Sequence, residues 1–183
     1  MIDNIIDSFL WQNAAFMAEK LGFDVINAII TALNDTGYSN QTTLGVTIQS
    51  SNSSVLMKFK KQTKYNLMYM IDETIRDAVA SSISDIKKFA DSVAIDKESI
   101  YPASLDFITG QSQLVSALQE GGLEVYVYVL RNEFVSQAWD FFADAIVEIN
   151  SFVQGGGVDG IITDFPGTAR AYKSKYSHHN KYS

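Results

Sequence analysis

The sequence predicts an α/β fold built on a parallel sheet, and three observations carry that prediction. Five short β-rich runs, VTIQS (46–50), YNLMYMI (65–71), SVAID (92–96), VYVYVL (125–130) and GIIT (160–163), are separated by stretches of helical composition. Strands that alternate with helices imply crossover connections and therefore parallel pairing. The stretch from Leu123 to Pro166 is one complete β-α-β unit, and its second strand is apolar until it stops at Thr163-Asp164-Phe165-Pro166. A strand covered on both faces thus delivers polar side chains to its carboxyl end, where parallel α/β folds place their chemistry.

Taken in order, residues 3–34 carry helical periodicity. Ala14, Ala15, Met17, Ala18 and Leu21 share one side; after Gly22, so do Val25, Ile26, Ala28, Ile29, Ile30 and Leu33, with Asp24 placed to cap the second helix. The polar loop NDTGYSNQTT leads into VTIQS, and a helix begins at SVLMKFKKQ (54–62). YNLMYMI is followed by Asp72 and by a helical stretch over 73–92 with a break at its serines. After SVAID comes a loop with Pro102, then the helix GQSQLVSALQEGG (110–122), whose glycines stand just past its end as a C-cap. An aromatic, acidic segment of helical composition joins VYVYVL to GIIT, and the last dozen residues, YKSKYSHHNKYS, have no apolar period and read as a frayed tail.

Composition bounds the function. At 183 residues the chain suits one domain or part of a larger one, and it is short of the ~250 residues of a complete eight-stranded α/β barrel. A net charge of -7 opposes binding to nucleic acid or an anionic membrane, because phosphates would be repelled. There is no cysteine, which excludes disulfides, thiolate nucleophiles and cysteine-zinc sites. No apolar run approaches the ~20 residues that span a bilayer, and the acidic start MIDNIIDSFLWQ lacks the basic region of a signal peptide, so the chain as written is expected in the cytoplasm.

At VDGIITDFP (158–166) the sequence resembles the last barrel strand of glycerophosphodiester phosphodiesterases. The runs VTIQSSNSSVLMKFK, IRDAVASSISDIKKFADSV, RNEFVSQAWDFFADAIVEINSFV and NAAFMAEKLG are similar to the plant subgroup of that family, the glycerophosphodiester phosphodiesterase-like proteins of plasma membrane and cell wall. The resemblance covers residues 12–173, leaving 1–11 as a divergent start and 174–183 as a disordered tail. It implies a TIM (β/α)8 barrel of which this chain holds roughly the fourth to the eighth strands, a partial barrel. It also implies a metal-dependent hydrolysis of glycerophosphodiesters to glycerol 3-phosphate and an alcohol, in lipid and glycerol metabolism. An incomplete barrel exposes strand edges, so self-association is expected.

The resemblance also places the chemistry. Family members carry a His-Arg-Gly motif on the first strand, an acidic pair and a histidine after the second, and a glutamate on the third. Their histidines act as acid and base, and the three carboxylates hold Ca2+ or Mg2+. The first- and second-strand motifs do not occur here, Gln12 falls at the position of the third-strand glutamate, and His178 and His179 stand in the tail. The chain is therefore expected to be inactive alone; the alternative reading is a non-catalytic binding or structural fragment, or a truncated gene product. By the resemblance, Gln49 and Ser50 end the fourth strand near the substrate and Tyr128 stands where many members have a tryptophan.

Other candidates come from the residues themselves. Arg131 either binds phosphate bidentately or pairs with Glu133 or Asp140. Asp164 either lines the substrate pocket or caps the turn before Pro166. Asp72, Asp96 and Glu133 also follow strands, as a carboxylate cluster able to hold a cation or as solvated or capping loop acids. Gly155, Gly157 and Gly160 spell GxGxxG but precede a strand instead of opening a helix, which excludes the dinucleotide fingerprint. Asn34, Asn40 and Asn52 head glycosylation sequons that matter only in a secreted protein.

Overall fold

The computed structural model describes residues 5–6, 22, 24–37 and 46–177. The chain divides into two compact units, one of Ile2–Ile71 with Ala80–Val93, the other chiefly of Asp72–Val79 with Ala94–Ser183.

In the first unit, strands β1 (Ile5–Ile6), β2 (Thr47–Ser50) and β3 (Asn66–Met70) pair in parallel, with Ile5 opposite Thr47 and Thr47 opposite Asn66. All four residues of β2 are buried, as a strand covered on both faces should be. The side chain of Asp24 accepts the Asn27 amide at 3.1 Å and caps α1 (Val25–Asp35). Asn52 accepts the Ser54 amide at 2.9 Å and starts α2 (Ser53–Gln62), which ends in Lys60 and Lys61, where the helix carbonyls favour cations. Helix α2 buries Val55, Leu56 and Phe59 on one face against Ile48 of β2, Leu67 of β3 and Val25, Ile26 and Leu33 of α1. Each such side chain contributes about 1.5–3 kcal/mol by leaving water. Helix α3 (Ala80–Lys87) and the start of β4 (Ser92–Asp96) complete the unit; Asp91 donates its amide to Leu67 O at 2.8 Å and accepts the Leu67 amide on its carboxylate at 3.1 Å.

In the second unit β4 runs into α4 (Lys97–Ile100), capped by Asp96, whose carboxylate accepts the Glu98 amide at 2.8 Å. A two-stranded antiparallel hairpin, β5 (Ala103–Ser104) and β6 (Phe107–Ile108), occupies what the sequence showed only as a loop. Helix α5 (Leu114–Glu120) stops at Gly121-Gly122, where Gly122 takes the left-handed φ of 81° that a residue past a helix end commonly needs. β4, β7 (Glu124–Leu130) and β8 (Gly160–Thr163) are successive neighbours, and β7 and β8 pair in parallel with Tyr126 opposite Gly160 and Leu130 opposite Thr163. Any Cβ at Gly160 would collide with the Tyr126 ring, so this glycine serves strand packing. Helix α6 (Ala145–Asn150) continues through a π turn (Ser151–Gly155), and α7 (Pro166–Ser177) follows β8.

Four expectations change. Ile5–Ile6, placed in a helical stretch by periodicity, is a strand against β2, in keeping with two β-branched residues beside an open edge; the helix expected over 14–21 lies outside the described residues. The helix expected from residue 73 begins only at Ala80, and the Ile75 amide is taken by the Ser99 hydroxyl at 3.0 Å instead of a helical carbonyl. Between Arg131 and Asp144 there are two 3-10 turns, Phe134–Ser136 and Trp139–Phe141, because Phe142 and Ala143 adopt left-handed φ of 56° and 57° and the Asp144 cap starts the helix afresh. Helix α7 extends to Ser177, four residues into the expected tail, anchored by the buried ring of Tyr172, whose hydroxyl reaches Asn150 Oδ1 at 3.3 Å.

Candidate functional site

Within the second unit, the carboxyl ends of β4 and β7, the β5–β6 hairpin, the two 3-10 turns and helix α6 surround a cleft of about 420 Å3. The topology explains its place: parallel strands point their carboxyl ends the same way, and the loops that follow them meet there. Asp96, Tyr128 and Arg131 all line it, so three of the side chains picked out at strand ends are brought together.

Tyr128 projects from β7 and is 9 % exposed. Burial, reinforced by the negative charges of Asp96 and Asp72, pushes its phenol up to about 12, so it remains a neutral hydroxyl at physiological pH. Arg131 is half-exposed at the end of β7 and pairs through Nε with Asp164 Oδ2 at 2.8 Å, in place of the expected Glu133 or Asp140. The register decides this: Leu130 faces Thr163 across β7 and β8, so the next residue on each strand meets the other. Asp140 is otherwise engaged, accepting the Ile108 amide at 2.8 Å. The capping role considered for Asp164 falls to Thr163, whose hydroxyl accepts the Phe165 amide at 3.0 Å and donates to Leu130 O at 2.7 Å.

Gln49 and Ser50 belong to the first unit, where both are buried. Gln49 Nε2 lies 3.0 Å from Met70 Sδ, and Ser50 Oγ accepts the Asn52 amide at 3.0 Å. Asp72 and Glu133 are exposed, while Asp96 is committed to capping α4. Among the described residues no group of three His, Asp or Glu is arranged to hold a metal ion, so Asp72, Asp96 and Glu133 do not form the cluster considered from their positions. Gln12, Asn40, His178 and His179 lie outside the described residues; Asn34 is exposed at the end of α1 and Asn52 is the cap of α2.

Among the cleft residues not picked out from the sequence are Lys97, Gln137 and Glu148. Glu148 is 1 % exposed, and its nearest cation, Lys97 Nζ, stands 3.7 Å from Oε1, beyond hydrogen-bond length. Burial holds its carboxyl at about 7, with the Lys97 charge acting in the opposite sense. Gln137 is buried too, and its Nε2 donates to Arg131 O at 3.0 Å. A signal for Glu148 exists in the sequence: Phe141, Ala145, Ile149 and Phe152 recur at helical spacing, and Glu148 falls on that apolar stripe.

The fold and cleft can be set beside known proteins. The model of the glycerophosphoryl diester phosphodiesterase family matches residues 9–168. Two Arabidopsis thaliana proteins, glycerophosphodiester phosphodiesterases GDPDL3 and GDPDL1, are 53% and 55% identical over 88% of this chain. The chain spans 21% of the length of each. A crystal structure from Silicibacter pomeroyi, of a protein assigned as a glycerophosphoryl diester phosphodiesterase, superposes with a TM-score of 0.54 at 14% identity, over 84% of this chain and 45% of that one. That likeness establishes the fold as α/β, a partial TIM-like barrel. With a family model spanning most of its residues and relatives above half identity, the chain belongs to the glycerophosphoryl diester phosphodiesterase family.

Proposed function

We propose that this chain forms the carboxyl-terminal, substrate-binding part of a glycerophosphodiester phosphodiesterase-like barrel, with residues 12–173 as its family domain. The cleft at the ends of β4 and β7, carrying Arg131 beside Tyr128, is the observation behind this reading. The guanidinium is accessible and, among the described residues, held by one exposed carboxylate, so a phosphodiester can exchange with Asp164 and accept two N–H bonds. Tyr128 stays neutral and lines the same cleft.

The family reaction needs a divalent cation and acid–base groups. The described residues do not fit such a centre: they contain no metal-holding carboxylate cluster, and Asp96 is committed to its helix. The chain alone is therefore expected to bind substrate without turning it over. Hydrolysis to glycerol 3-phosphate then requires the remainder of a barrel, from a longer polypeptide or from another chain paired along an open strand edge; among the described residues β8 has a strand neighbour on one side only.

The test is a coupled assay for glycerol 3-phosphate release from glycerophosphocholine with Ca2+ or Mg2+, run beside equilibrium binding and light scattering. Binding without turnover, weakened in Arg131→Met, is the expected result. Chelator-sensitive turnover by a monomeric chain would overturn the claim of silence, and absence of any binding would overturn the substrate reading.

A further inference from the structure

Nine large hydrophobic side chains are exposed among the described residues, and six of them are gathered in the second unit on the β5–β6 hairpin and at the two 3-10 turns: Leu105, Phe107, Phe134, Val135, Trp139 and Phe142. Apolar residues scattered singly over a surface need no explanation, but a gathered set marks a place of contact. Three of the rings touch, with centroids of Phe107 and Trp139 at 5.5 Å and of Phe134 and Trp139 at 6.1 Å. Hairpin and turn are fastened to each other: the Trp139 amide donates to Asp106 O at 2.9 Å, and the Ile108 amide donates to Asp140 Oδ2 at 2.8 Å. Leu105 and Phe142 adopt left-handed φ of 50° and 56°, which bulky side chains rarely take, and each is presented outward, at 90% and 84% exposure. Strained backbone that wets apolar surface points to a role outside the fold.

Shape and charge decide what covers this surface. Leu105, Val135 and Phe142 are at least 84% exposed, so they are projecting tips on three separate turns. A rigid partner would need a pocket matched to each tip, whereas a fluid phase closes around all three. Trp139, with an apolar body and an N–H donor, suits the boundary between lipid head groups and acyl chains. Residues 103–109 and 132–144 carry Asp106, Glu133, Asp140 and Asp144, all exposed, and no lysine or arginine. Anionic lipid would repel these carboxylates, and hydrocarbon would not accept them. The outermost charge of a phosphatidylcholine layer is a quaternary ammonium, which carboxylates attract and the faces of Trp and Phe bind through their π electrons. Docked at that depth, the acids stay among the head groups while the tips reach the acyl boundary.

We propose that the hairpin and the two 3-10 turns form a docking surface for a zwitterionic phosphatidylcholine bilayer. Leu105, Val135 and Phe142 enter the acyl boundary, and Phe107, Phe134 and Trp139 meet the choline head groups. The inference does not depend on what the cleft binds.

The chain has two tryptophans, so Trp11→Phe leaves Trp139 as the sole reporter in the full chain. Its emission is followed on titration with phosphatidylcholine vesicles, with vesicles half of phosphatidylglycerol, and with a lysine- and leucine-rich amphipathic peptide. Phosphatidylcholine is expected to shift the emission to the blue, and brominated acyl chains to quench it, with partitioning roughly tenfold or more weaker into the anionic mixture. Leu105→Asn and Phe142→Asn should each lower partitioning into phosphatidylcholine about tenfold, by withdrawing a large apolar side chain from the boundary. Their thermal midpoints should not fall, because Asn tolerates a left-handed φ; this separates lost docking from lost folding. Asp106→Asn should narrow the difference between the two lipid mixtures. No response to any vesicle, tighter binding to the anionic mixture, or unchanged partitioning in both Asn variants would overturn the proposal. A response to the peptide and not to phosphatidylcholine would also overturn it and assign the patch to a basic protein partner. So would the emission of a buried indole before any addition, since the patch would then already be covered.

Discussion

The two units differ in the kind of polar group they leave buried without a partner: hydroxyls in the first, a carboxylate and an amide oxygen in the second. In the first, Ser50 receives the Asn52 amide, Gln49 lies on the Met70 sulfur and the Asp91 carboxylate receives the Leu67 amide, so several polar side chains fasten turns and strands, while the buried hydroxyls of Thr47 and Tyr65 have no hydrogen-bond partner among the described residues. In the second, Glu148 and Gln137 keep acceptors with no partner among the described residues and Lys97 stands too far from Glu148 for a hydrogen bond. Burying a polar group stabilises only when its partner comes with it, so both units carry that cost, and only in the second does it fall on an ionisable carboxylate that lines a cleft. The contrast is specific enough to be broken by substitution.

The largest effects concern packing, where the units should be alike. Phe59 in the first unit and Phe152 in the second are both essentially inaccessible, at 0% and 1% exposure. Phe59→Ala is expected to cost about 3–5 kcal/mol in denaturant unfolding, from lost transfer energy and the cavity left behind. Phe152 borders the cleft, which already interrupts its packing, so Phe152→Ala should cost about 2–3 kcal/mol. A cost above that of Phe59→Ala would mean that the cleft wall is as tightly closed as the core, and the comparison would fail at its base.

Next in size is the pH dependence of the second unit. Glu148 ionises near 7 when folded, against an ordinary value of 4.5, so the folded state binds its proton more tightly than the unfolded chain. Stability from this group is therefore full below about 4.5 and is lost as pH rises to about 7, a contribution of up to roughly 3 kcal/mol. Glu148→Gln should remove that fall, leaving a flatter profile and a more stable chain at pH 8. Lys97→Met should deepen it at pH 8 by about 1–2 kcal/mol and change little at pH 4, where Glu148 is protonated. Identical profiles for the parent chain and Glu148→Gln would show that the carboxylate is solvated after all.

How much of this the sequence disclosed follows from the range of the forces involved. The five main strands were legible because each is a short β-branched or aromatic run with a helix behind it, and Asp24 and the glycines after α5 were legible because capping is local chemistry. The Arg131–Asp164 pair was not, since it depends on the register between two strands joined by some thirty residues. Glu148 was hidden for a related reason: the stripe shows that it faces inward, and only the tertiary structure shows that, among the described residues, its nearest cation, Lys97 Nζ, stands 3.7 Å away. The failed helix start at residue 73 has the same origin, a Ser99 hydroxyl distant in sequence taking the Ile75 amide.

Caps give a smaller, matched comparison. Asn52 heads α2 with one bond, to the Ser54 amide, and Asp144 heads α6 with two, to the Ile146 and Val147 amides at 2.8 and 3.3 Å. Replacement by Ala should cost about 1 kcal/mol in each case, with Asp144→Ala the larger because a carboxylate also gains from the amino-terminal end of the helix. Reversal of that order by chemical denaturation would show that α6 is held by its continuation into the π turn and not by its start.

The smallest expected effect on stability separates structure from function most sharply. Arg131 and Asp164 form a close ion pair at 2.8 Å, yet both side chains are about half exposed, at 53% and 56%. Water and salt screen such a pair, and holding two mobile side chains in one geometry costs entropy, so its net worth is about 0.2–1 kcal/mol. A double-mutant cycle with Arg131→Met and Asp164→Asn should return a coupling within that range, shrinking as salt is raised from 50 mM to about 0.5 M. The same two substitutions should act oppositely on binding. Arg131→Met removes the guanidinium that meets the phosphodiester, whereas Asp164→Asn frees that guanidinium from its competitor and should tighten glycerophosphocholine by a few-fold, since tenfold corresponds to about 1.4 kcal/mol. If both substitutions weaken binding equally, Asp164 orients the arginine for substrate instead of competing with it, and the pair is part of the site and not a latch beside it.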